Sequence, residues 1–86
     1  MKCYFLDARE LEHPIPLERS IVYLRKLDEK SYFYMLHRKE PIPLLALANE
    51  HNLNYLSYKE CPKVWHIIIS PNKEVNLKNF IQKVCS

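Results

Sequence analysis

Glycine is absent from the 86-residue chain, and with it go the glycine-rich dinucleotide fingerprint, the phosphate-cradling P-loop and the Gly-x-Ser-x-Gly nucleophile elbow. Long apolar runs are missing as well. None approaches the roughly 20 residues needed to cross a bilayer, so no transmembrane span and no membrane partner are expected. Neither sign of charge dominates: 13 Lys and Arg stand against 10 Asp and Glu, a formal charge of +3. The densest basic pairs, Arg25-Lys26 and Arg38-Lys39, lie close to Asp28, Glu29 or Glu40 and read as solvated surface, so nucleic acid is not the expected partner. Cysteine is sparse. Cys3, Cys61 and Cys85 are odd in number and widely spaced, with no Cys-x-x-Cys pair and no leader-like start, a usage that points to a reducing cytoplasm.

What is present supports one packed core. The chain is 48% hydrophobic and 27% charged, and its length suits a single small domain. Pro14-Ile15-Pro16-Leu17 recurs as Pro41-Ile42-Pro43-Leu44. Proline is tolerated in the first helical turn, where the backbone N–H groups have no acceptor, so each copy marks a helix start. Leu17, Ile21, Leu24 and Leu27 then recur at helical intervals, predicting a helix that ends near Asp28-Glu29-Lys30. Leu44, Leu47 and Ala48 predict a shorter one, with Asn52 as its left-handed terminator.

Strand-forming residues gather at 3–6, 32–36, 54–59 and 64–69. The order is β-α-β-α-β-β: a two-layer α/β (α+β) sandwich over residues 1–70 with a four-stranded mixed sheet, parallel across the helical crossovers and antiparallel in the final hairpin. Asn76 caps a further amphipathic helix within 71–86, carried by Leu77, Phe80, Ile81 and Val84. The last strand is apolar on both faces, with Val64 and Ile68 on one and Trp65, Ile67 and Ile69 on the other. Its second face therefore needs a cover, either the C-terminal helix or a second subunit in a homodimer. Tyr32 and Tyr34 share a face and could also stack RNA bases.

From Leu6-Asp7 to Pro14-Ile15-Pro16 the chain resembles the TusA/SirA family of small sulfur carriers, whose signature is Leu-Asp-x-x-Gly-x-x-Cys-Pro-x-Pro. Leu6, Asp7, Pro14 and Pro16 keep their places. His37-Arg38-Lys39-Glu40-Pro41-Ile42-Pro43-Leu44 and Val64-Trp65-His66-Ile67-Ile68-Ile69 resemble a branch of that superfamily in which the catalytic cysteine is commonly absent. The resemblance implies the same β-α-β-α-β-β sandwich. In the family a cysteine sits at the helix N-terminus, where the dipole favours a thiolate or persulfide; here that position is His13, and imidazole cannot carry a persulfide. Glu10 replaces the glycine of the signature.

Parallel strands bring both strand-to-helix turns to one edge of the sheet. Asp7, Arg9, His13, His37, Arg38 and Glu40 are therefore expected as neighbours, with Cys61 and Lys63 nearby, forming a non-catalytic site for a protein partner or a small anion. The local alternative has Asp7 bonding to its own turn and Arg9 pairing with Glu10, Glu12 or Glu40. No cofactor is expected. A zinc site built from His13 and His37 with Cys61 or Asp7 lacks the usual ligand spacing. A sulfur relay through Cys61 would need a reactive thiol in a hairpin loop that lacks a helix dipole, while Cys3 and Cys85 read as packing or terminal residues.

Overall fold

The chain is described by a computed structural model over residues 1–85. Its strands and helices follow the expected order: β1 (Lys2–Asp7), α1 (Ile15–Leu24), β2 (Ser31–His37), α2 (Ile42–Glu50), β3 (Asn54–Cys61) and β4 (Val64–Ser70), followed by a 3-10 turn at Leu77–Phe80. The four strands form one mixed sheet in the order β1-β2-β4-β3. β1 and β2 are parallel, with Leu6 opposite Met35, while β4 runs antiparallel to both β2 and β3. The C-terminal ends of β1, β2 and β3 thus share one edge.

Alternation along the strands sorts side chains to the two faces. Leu6, Phe33, Met35, Ile67 and Ile69 point toward the helices and form the main core with Ala8, Leu44 and Ala48. Helix α1 approaches the sheet through a small residue. Ser20 is fully shielded, and its hydroxyl donates to the Pro16 carbonyl at 2.6 Å beside the Met35 sulfur, so no buried donor is left unpaired. Prolines occupy the first turns of both helices. Asn52 ends α2 with φ 55°, the left-handed conformation expected of it.

Helix α1 stops several residues before the expected Asp28-Glu29-Lys30. The chain tightens there through Lys26 N–H to the Tyr23 carbonyl and Leu27 N–H to the Leu24 carbonyl. Asp28 then builds a turn of its own, accepting from the Lys30 N–H at 2.8 Å while its N–H donates to Ser31 Oγ at 2.9 Å. A side chain that bonds locally in this way competes with the helical ladder.

The C-terminal amphipathic helix expected within 71–86 does not form; Ser86 lies outside the described residues. Asn76 does cap, accepting from the Lys78 N–H, but only the single 3-10 turn follows, and Ile81 is already extended. From there the chain runs as a strap over the second face of the sheet. Its amides are claimed by side chains beneath it: Gln82 N–H donates to Tyr34 Oη at 3.0 Å, and the Val84 and Cys85 N–H groups donate to the Glu60 carboxylate at 2.9 and 2.6 Å. An extended chain covers about 3.3 Å per residue against 1.5 Å in a helix, so a short segment spans the face. The second apolar cluster, Tyr34, Leu36, Ile68 and Leu77 with Phe80 and Ile81 against it, is thus covered by the chain's own C-terminal segment.

Cys61 and Cys85 are joined in a disulfide, and Cys3 is free and exposed. This corrects the reading of Cys61 as a free thiol in the hairpin loop, and it gives the near-terminal Cys85 a covalent partner that was not expected. Spacing gave no sign of the pair, because the bond is made by the path of the strap. Disulfides persist in oxidising surroundings and are reduced in the cytoplasm, so the cysteines no longer argue for a reducing compartment. No helix among the described residues is long and apolar enough to cross a membrane.

Candidate functional site at the strand-to-helix edge

The two helix starts flank a groove of about 380 Å³ at the shared edge, lined by His13, Leu11, Pro16 and Leu17 from one side and by Met35, His37, Arg38, Lys39, Glu40 and the second proline motif from the other. Four of the six expected site residues, His13, His37, Arg38 and Glu40, line it together. Asp7 and Arg9 are adjacent to it and engaged with each other. Asp7 accepts from the Arg9 N–H at 3.2 Å, from Nε at 2.9 Å and from Nη2 at 2.8 Å. Arg9 therefore pairs with Asp7 rather than with Glu10, Glu12 or Glu40, and the hydrogen bonds from Arg9 hold the Asp7 carboxyl below its ordinary range.

Arg38 ties the two turns together. Its Nη1 donates to the Arg9 carbonyl at 3.0 Å and its Nη2 lies 3.2 Å from Glu12 Oε1. His37, at the end of β2, is buried, and its Nδ1 accepts from the Arg38 N–H at 2.9 Å and from the Lys39 N–H at 3.3 Å. Burial lowers its pKa, and the charges of Arg38 and Lys39 lower it further. His37 is thus a neutral ring fixing a turn, with Nδ1 committed as an acceptor. Glu40 accepts from Ser57 Oγ at 2.9 Å, which links the groove to β3. Of the charged and imidazole side chains in the lining, His13 and Lys39 are the exposed ones.

The helix starts contribute fewer N–H groups than ordinary helix termini. Pro14, Pro16, Pro41 and Pro43 have none, the Ile15 N–H donates to the Glu12 carbonyl, and the Ile42 N–H donates to the Glu40 carbonyl. An anion cradle built from backbone donors is correspondingly depleted. Charge at the groove comes from side chains, and most of the lining is aliphatic. Among the described residues no three His, Cys, Asp or Glu side chains converge as a metal site. Cys61 carries no thiol in this structure and does not line the groove.

A second constellation, on the opposite face of the sheet, was not anticipated. Glu60 Oε1 lies 2.7 Å from His66 Nε2, and His66 Nδ1 lies 2.6 Å from Tyr34 Oη. With the ring proton on Nε2, His66 donates to Glu60 and accepts from Tyr34, whose oxygen accepts from the Gln82 N–H. His66 is fully buried and the Glu60 side chain is 5% exposed. A register irregularity between Lys59 and Cys61 leaves Glu60 without a partner on β4, and such bulges re-aim side chains. Burial alone would raise the Glu60 carboxyl, but donors from Val84, His66 and Cys85 outweigh it and hold the group below the carboxylate range. The available signal was His66 itself, a polar residue inside the apolar run Val64–Ile69 whose neighbours on the same face are Val64 and Ile68. A buried imidazole requires partners.

Tyr32 and Tyr34 do share a face, but Phe80 stacks on Tyr32 with ring centroids 4.2 Å apart. Tyr34 is buried and lies under Gln82, so this pair of rings is not presented as an open stacking platform.

No family model, curated protein or solved structure matches this chain.

Proposed function

We propose that this chain is a non-catalytic binding module, of TusA/SirA-like design, whose edge groove takes a short segment of a protein partner carrying an apolar side chain next to an acidic one. The carrying observation is the groove between the two proline-led helix starts, with aliphatic walls from Leu11, Leu17 and Leu44 and with Lys39, Arg38 and His13 among its lining. Apolar walls with a few placed charges suit a side chain anchored beside a carboxylate. The depleted backbone donors disfavour a free inorganic anion as the principal ligand. The likeness to the carrier family supports the scaffold, since Leu6, Asp7, Pro14 and Pro16 stand at the first strand-to-helix turn. With His13 at the signature's cysteine position, persulfide transfer is not part of the proposal. A cytoplasmic setting, in which the Cys61–Cys85 bond would be open to reduction, belongs to the same proposal and has the family likeness as its support.

The test is a two-dimensional NMR titration with acetylated peptides that pair Leu or Phe with Asp, against matched peptides that carry Lys. Shifts confined to Leu11, His13, Lys39 and Leu44, seen with the acidic set and abolished by Lys39→Glu, are expected. Equal response to both sets, or shifts placed elsewhere, would sink the reading.

A further inference from the structure

We propose that the Cys61–Cys85 disulfide is a redox latch: it holds Ile81–Cys85 against the second face of the sheet, and a dithiol reductant releases that segment while the rest of the fold stands.

The chain after β4 has two halves with different moorings. Upstream of Phe80, Asn54 Nδ2 donates to the Asn72 and Val75 carbonyls, Leu77 is buried, and Phe80 stacks on Tyr32. Beyond Ile81 no such anchoring continues. Apart from the Ile81 side chain, the mooring consists of the Gln82, Val84 and Cys85 amides on Tyr34 and Glu60, plus the disulfide. The backbone pairing of the sheet does not run through these contacts. β4 is paired on both sides, by β2 and β3, and the helix-side core does not touch the strap. A terminal segment held by few hydrogen bonds opens at low cost once its covalent tie is gone.

The chemistry needs only a dithiol. Its thiolate attacks one sulfur of the bond and forms a mixed disulfide, and its second thiol then displaces that cysteine. The reductant leaves as a disulfide, having supplied two electrons, and Cys61 and Cys85 leave as thiols carrying the two protons. Both cysteines are half-buried, leaving a route of attack.

Release takes two amide donors from Glu60 and one from Tyr34, leaving the Glu60–His66–Tyr34 hydrogen bonds in place. It also removes one wall of a second groove of about 380 Å³, now closed by Gln82 and Val84 against Phe5, Tyr32 and Tyr34. The Phe5 and Tyr34 side of that groove is thereby covered in the oxidised protein and uncovered in the reduced one, while Phe80 stays on Tyr32.

Thiol counting and amide hydrogen exchange test this together. In the oxidised protein an alkylating reagent should label Cys3 alone, and after reduction by dithiothreitol all three cysteines. Exchange at Gln82, Val84 and Cys85 should then accelerate by about a hundredfold, the scale of a lost disulfide constraint, while Ile67–Ile69 keep their protection. Cys85→Ser without reductant should reproduce the fast exchange at Gln82 and Val84. Labelling of all three cysteines before reduction would overturn the latch. So would unchanged strap exchange after it, or loss of protection across β4, which would make the bond a staple of the whole fold.

Discussion

The two faces of the same sheet are closed by different physics. On one face, two helices with their own hydrogen-bond ladders lay aliphatic residues on Phe33, Met35, Ile67 and Ile69, which are fully shielded from solvent. On the other, a strap with almost no internal hydrogen bonding covers Tyr34, Ile68 and the buried His66, and its amides are satisfied by side chains rather than backbone. The first face is stabilised by burial, which needs no partner in a particular place. The second relies on a polar chain whose amides meet particular side-chain acceptors and on one covalent link.

Truncation should expose that difference most strongly. Phe33→Ala removes a ring from the closed core and should cost about 3–5 kcal/mol, the range for large cavities. Phe80→Ala removes a half-buried ring from the strap and should cost about 1–2 kcal/mol, because solvent and the loosened strap can fill the space. Urea unfolding of both variants gives the comparison. Equal losses would mean that the strap is as integral to the fold as the helices are.

Tyr34→Phe sharpens the contrast within the second face. The ring stays, but His66 Nδ1 and the Gln82 N–H both lose their partner oxygen. An expected loss of about 1–2 kcal/mol follows from stranding polar groups, and amide exchange at Gln82 should accelerate. Unchanged stability and exchange would show that the hydroxyl is dispensable and that apolar contact alone seats the strap.

The helix-covered face was legible in the sequence because its signals are local and periodic. The paired Pro-Ile-Pro-Leu motifs marked both helix starts, Asn52 carried the left-handed turn, and alternation in Val64–Ile69 assigned Ile67 and Ile69 to one face and Ile68 to the other. The edge followed from topology alone, which is why His13, His37, Arg38 and Glu40 were found together. The strap was not legible for the opposite reason. Leu77, Phe80, Ile81 and Val84 have helical spacing, yet the segment's amides are taken by Tyr34 and Glu60, residues far away in sequence. Tertiary acceptors decide such a conflict, and no window of the sequence contains them. The Cys61–Cys85 bond was hidden by the same geometry. The pairing of Asp7 with Arg9, by contrast, was half contained in the local alternative, which had Asp7 bonding to its own turn but Arg9 pairing with other carboxylates.

The smallest expected effect is in the pH dependence of stability, and it separates His37 at the groove from Glu60 beneath the strap by where on the pH scale each responds. His37 is held below its ordinary value of 6.5 by burial and by the Arg38 and Lys39 charges. Between its folded and unfolded values the unfolded chain binds more protons. Stability is therefore full above the unfolded value, falls as pH drops below it, and levels once folded His37 also takes its proton. Glu60 and Asp7 act in a lower window. Their depressed carboxyls give stability that is full above the ordinary values of 4.5 and 3.8 and is lost as pH falls through the folded ones. Urea midpoints from about pH 7.5 down to about pH 3 should show both declines. His37→Asn should flatten only the upper one, a property of the groove, and Glu60→Gln should diminish only the lower one, removing the share that belongs to the strap and leaving that of Asp7. A single decline that responds to both substitutions would mean that groove and strap are coupled through the sheet, and that the two faces do not respond independently.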